Sequence, residues 1–131
     1  MRFTEREMTA ALEGAAKTAL SRQDRSVRKG RRSVDDAWSA LTRYQRFTLL
    51  DGLGDQVLPV LAGLPDVEVA AGTRPTFTDA QVRATVEAQL GEGRGVRRKV
   101  LLEARVALVR TALDAVPVRQ DPDALVVPDH L

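Results

Sequence analysis

Two clusters of cations are the residues in this sequence best suited to a chemistry of their own. Arg22, Arg25, Arg28, Lys29, Arg31 and Arg32 crowd into the segment Ser21 to Arg32, where Asp24 is the only acid. Arg94, Arg97, Arg98 and Lys99 form a second group beginning in the run Gly91-Glu92-Gly93-Arg94-Gly95. Cations so concentrated can neutralise phosphates and release counterions, which requires charge and little fixed geometry. Both groups are therefore candidate nucleic-acid or anion contacts. The competing reading of the first is a solvated helix end, since that segment is net +5 and the remainder −3 on a chain total of +2. No aromatic residue interleaves it, so stacking on bases is not supported.

The glycine run could present backbone N–H groups to a phosphate at a helix start. It does not complete a nucleotide motif: GEGRGV lacks the last glycine of the dinucleotide fingerprint, follows a helical pattern instead of a strand, and carries no Gly-Lys-Ser/Thr. An interhelical turn accounts for it without a ligand. A helix-turn-helix comparison fails on the length of this turn and on the apolar character of the helix after it.

Catalytic constellations are absent from the pattern. Carboxylates pair at Glu5 and Glu7, Asp35 and Asp36, and Asp121 and Asp123, but neighbours one or two apart on a helix diverge instead of facing one pocket. Asp35 and Asp36 fit a helix N-terminus, where negative charge is favoured. The chain has no cysteine, and its one histidine, His130, is next to last in the sequence; thiolate sites are excluded, and neither a metal nor a cofactor is expected. Trp38, Tyr44 and Phe47 lie close enough in sequence to line a small cavity, with Arg43 and Arg46 as its only obvious polar groups, although core packing explains them equally well.

Composition sets the frame for these residues. A chain of 131 residues with 44% hydrophobic and 29% charged positions is one ordinary globular domain. Aromatics make up only 4%, so the core is expected to be Leu, Val and Ala. The charge-interrupted start MRFTEREMTAALEG and the short apolar run VLPVLAGLP give no secretory or membrane-spanning pattern. A cytoplasmic protein is expected. The heavy excess of Arg over Lys, with no Ile or Asn, fits a GC-rich bacterial genome.

Helices must position all of this. Thr4 with Glu7 makes a capping box, with Phe3 and Met8 as its staple, and the apolar period predicts a helix from about Glu5 to Leu20. The basic segment either extends it or forms a linker, with a break at Gly30. Ser33 with Asp36 opens a second helix, and Thr42 with Gln45 repeats the start signal. Pro59 is expected to kink the following helix or begin a new one. Asp66 to Pro75 reads as a connector in which Val67-Glu68-Val69 could pair as a very short strand. Thr78 with Gln81 caps another helix, which Gly91 ends. The last helix, about Val96 to Val116, has two apolar stripes: Val100, Ala104, Ala107 and Leu108, and Leu102, Val106, Val109, Leu113 and Val116. Such a helix is either central in the bundle or shared with another subunit. Pro117, Pro122 and Pro128 then forbid a continuous helix, and Ala124 to Val127 form an apolar patch between prolines.

The expectation is an all-α, single-domain bundle of four to six helices over 1–116, with a proline-rich extended tail over 117–131. The function expected is a non-enzymatic interaction or regulatory module whose partner is another protein or a second copy of itself. Nucleic-acid binding through 22–32 and 94–99 is the alternative, and a small-ligand protein or enzyme the weakest of the three.

Overall fold

The computed structural model describes residues 1–119. The rest of the tail, including the Ala124–Val127 patch and His130, lies outside the described residues. Six helices are found among the described residues: α1 (Glu5–Gln23), α2 (Arg25–Arg28), α3 (Val34–Ala40), α4 (Arg43–Gly63), α5 (Asp79–Leu90) and α6 (Val96–Asp114). No strand occurs among them. The Val67-Glu68-Val69 stretch is therefore connector.

Local chemistry explains where the helices start. Thr4, Thr42 and Thr78 each accept from the backbone N–H three residues on, while Glu7, Gln45 and Gln81 reach back to the threonine N–H. Two of the free amide donors at each start are thus satisfied. Ser33 caps α3 through the Asp36 N–H. The basic segment is partly helical: α1 runs on to Gln23, past the expected Leu20, and Asp24 then caps α2 by accepting from the N–H groups of Ser26 and Val27. Gly30, at φ +70, ends that turn in a conformation costly for other residues.

Pro59 does not divide the chain. Helix α4 continues through it, and both Pro59 and Asp55, the residue whose carbonyl loses its donor, are exposed. Water can satisfy that carbonyl, so the missing hydrogen bond is tolerated there.

Helices α1 and α6 run antiparallel: Arg119, beyond the end of α6, pairs with Glu7 near the start of α1, whereas Arg22 at the far end of α1 lines a groove with Leu101 and Arg105. Helix α5 is antiparallel to α6 as well, held by Arg83 on Glu103 and by Arg110 on Asp79 at 3.2 Å. Helix α4 packs against all three. Its Val57, Val60 and Leu61 meet Ala11 and Ala15 of α1, Val82 and Val86 of α5, and Val106, Val109 and Leu113 of α6 in one core. Phe3 and Phe77 close it with ring centroids 6.3 Å apart. The expected Leu, Val and Ala core is present, with aliphatic volume supplied by α4 and the close helix approach by the alanines of α1.

Candidate functional site

Helix α6 carries apolar side chains around most of its circumference, yet only one of its two stripes is covered along its length; of the other, Leu108 packs half-buried against the core and the rest is exposed. Val106, Val109, Leu113 and Val116 are buried. On the opposite side Val96, Val100 and Leu101 remain 79%, 61% and 45% exposed, and Ala104 and Ala107 are exposed between them and the C-terminal half. A helix central to the bundle would have both stripes covered; here α1, α4 and α5 cover one. Val96, Val100, Ala104 and Ala107 follow each other at spacings of three and four, so they share one face.

Antiparallel packing sets the C-terminal half of α1 beside the N-terminal half of α6, the halves that the two basic groups adjoin. Arg22, in the last turn of α1, lines a groove with Leu101, Arg105 and Leu108 of α6, whereas Arg97, Arg98 and Lys99 sit in the first turn of α6. Their side chains are not equally available. Arg32 donates to Asp24 at 2.7 Å, and the Ser26 hydroxyl first, then Arg32, lower the Asp24 pKa to about 2. Arg98 folds back on the glycine turn and donates to the Gly91 carbonyl at 2.6 Å, so it closes the α5–α6 connection. Arg22, Arg25, Arg28, Lys29, Arg31, Arg94, Arg97 and Lys99 are exposed.

The aromatic trio is dispersed. Tyr44, 76% exposed, lines a shallow depression of ≈ 460 Å³ with Thr48, Leu49, Leu53 and Gln56, all on α4. Phe47 is 63% exposed and Trp38 half-buried, and neither lines it. Arg46 donates to the carbonyls of Leu41 at 2.8 Å and Trp38 at 3.3 Å; it caps the end of α3. Arg43 is exposed at the first position of α4.

One buried charged group stands out. Glu7 is 4% exposed, and its carboxylate accepts from Arg119 Nε at 3.0 Å, from Arg119 Nη2 at 3.1 Å and from the Thr4 N–H at 2.9 Å. Burial pushes its pKa up, but the Arg119 guanidinium and the Thr4 amide outweigh this and hold it below the usual value. With three donors on its two oxygens, two of them from Arg119, Glu7 fastens the segment after α6 to the start of α1, which accounts for its burial without a catalytic role. The capping box marked Glu7 in the sequence, but nothing local marked Arg119 as its partner.

Among the described residues no three His, Cys, Asp or Glu side chains gather as metal ligands would, and no helix is long and apolar enough to cross a membrane. No family model, curated protein or solved structure matches this chain.

Proposed function

We propose that this protein is a non-enzymatic helical interaction module that self-associates through the outer face of α6, in a cytoplasmic setting. The observation that carries the reading is the exposed stripe Val96, Val100, Ala104 and Ala107. Two small residues at its centre permit close approach of a second helix, and valines at one end supply apolar area. In an isologous antiparallel pair centred between Ala104 and Ala107, Ala104 of one copy meets Ala107 of the other. Arg97 then lies opposite Asp114, so the charges complement as well.

Sedimentation equilibrium tests this. Wild-type protein is expected to dimerise in the micromolar range, and the double variant Val100→Glu/Ala107→Glu to stay monomeric with unchanged helical circular dichroism. A wild type that remains monomeric at all accessible concentrations removes the reading.

A second reading draws on the two basic groups, most of whose side chains are exposed. Exposed Arg22, Arg25, Arg28, Lys29, Arg97 and Lys99 favour a nucleic-acid contact made through phosphates alone. Fluorescence anisotropy with duplex and single-stranded oligonucleotides should then show affinity that falls steeply with salt and is insensitive to sequence. Absence of binding at low salt excludes it.

A further inference from the structure

The exposed aromatic side chains among the described residues both lie on the first turns of α4. Tyr44 and Phe47 are 76% and 63% exposed, and at a spacing of three they share one helix face. Leaving two large rings in water is unfavourable, and no packing within the chain holds them there.

Beside Tyr44 the depression on α4 opens at Gly52. A Cβ at Gly52 would meet nothing within 4 Å, so packing does not require a glycine in mid-helix, where it costs stability. Its effect is a hollow lined by Leu49 and Leu53 with the Tyr44 ring at one end. Polar groups around it are engaged within α4 and its cap. The Thr48 hydroxyl donates to the Tyr44 carbonyl at 2.9 Å, the Gln56 amide donates to the Gly52 carbonyl at 3.3 Å, and the Gln45 side-chain oxygen accepts from the Thr42 N–H at 2.9 Å. The hollow therefore offers chiefly flat apolar contact.

Cations stand level with these rings. Helices α1 and α4 run antiparallel: Met8 shares a surface depression with Ala62, and further along α1 the Leu12 Cδ1 lies 3.8 Å from where a Gly54 Cβ would be. Ten residues on from Leu12 is Arg22, and ten back from Gly54 is Tyr44, each about 15 Å along its helix in the same direction. The end of α1 is thus level with Tyr44, and Arg43 precedes Tyr44 on α4; Arg22 and Arg43 are both exposed. Asp51 and Asp55, exposed further along α4, repel phosphate and direct a strand from the hollow toward Arg43.

We propose that Tyr44, Phe47 and the Gly52 hollow form a stacking platform for the unpaired bases of single-stranded nucleic acid, with phosphates on Arg43 and Arg22. The inference rests on the phosphate-binding reading of the basic groups and adds to it a preference for single strands, because a duplex keeps its bases stacked on one another. It uses no residue of the outer face of α6.

Fluorescence anisotropy at low salt, with a short single strand and the duplex of the same sequence, tests this. The wild type should bind the single strand about tenfold more tightly. Tyr44→Leu and Phe47→Leu should each lose about tenfold for the single strand and leave duplex affinity and salt dependence unchanged, because stacking releases no counterions. Tyr44→Trp should keep the preference. Gly52→Leu should weaken single-strand binding while raising the thermal midpoint, which separates a filled hollow from a misfolded chain. Equal affinity for both forms, unmoved by these variants, overturns the platform and leaves the phosphate contact standing. No binding to either form removes both. Binding to phosphatidylglycerol vesicles that depends on Tyr44 and Phe47, with none to the single strand, overturns the proposal and assigns the face to a membrane surface.

Discussion

Gly14 and Glu7 show how single positions fix this fold. A Cβ on Gly14 would lie 2.1 Å from the Ala115 Cβ, an atom attached directly to backbone that cannot swing aside. Gly14→Ala gains about 1 kcal/mol of helix propensity but forces α1 away from the end of α6, and a net loss of about 1–2 kcal/mol is expected. Urea unfolding checks it, and unchanged or increased stability would show that the helices separate freely there. Glu7 makes a pH prediction. Its carboxyl, like that of Asp24, titrates lower in the folded chain than its ordinary value, so each contributes stability that is complete above the ordinary value and lost as pH falls through the folded one. For Asp24 the window runs from about 3.8 down to about 2; for Glu7 it begins below about 4.5. Thermal unfolding between pH 5 and pH 2 should show a decline that begins near pH 4.5 and is shallower in Glu7→Gln, which has no carboxylate to protonate. An equal slope in that variant would place the sensitivity elsewhere.

At the scale of the elements, the sequence was most legible where a few adjacent residues decide. Three Thr-x-x-Glu/Gln boxes predicted three helix starts, and all three sit at N-caps. It was least legible where partners are remote: Glu7 and Arg119 are 112 residues apart, and no local pattern pairs them. Period alone likewise showed two apolar stripes on α6 without saying which one neighbours would bury. Of the two outcomes expected at Pro59, a kink or a new helix, the continuous α4 excludes the second, since whether a proline divides a helix depends on what faces the orphaned carbonyl. That makes a prediction about α4. Pro59→Ala restores the N–H to the Asp55 carbonyl and should raise stability by about 1–3 kcal/mol, less whatever a stiffer unfolded chain contributes in the wild type. A fall in the unfolding midpoint would mean that the proline sets a bend on which the packing of Val57, Val60 and Leu61 depends.

For the whole molecule, self-association and folding stability are linked, and the linkage separates the α6 reading from a merely exposed helix. Three neighbours bury one side of α6, and the monomer therefore has a core of its own that should survive loss of the outer contact. If two copies pair through Val100, Ala104 and Ala107, the folded dimer is favoured by mass action, and raising the concentration of pairing-competent chain to 100 times the dissociation constant adds about 2.7 kcal/mol. At a few degrees per kcal/mol for a domain of this size, the unfolding midpoint should climb by roughly 10 °C over that range. Val100→Glu/Ala107→Glu should unfold at the low-concentration midpoint of the wild type whatever its concentration, because it keeps the core and loses the pair. A wild-type midpoint that does not move with concentration would leave the stripe exposed but idle, and the bundle would stand as a monomer.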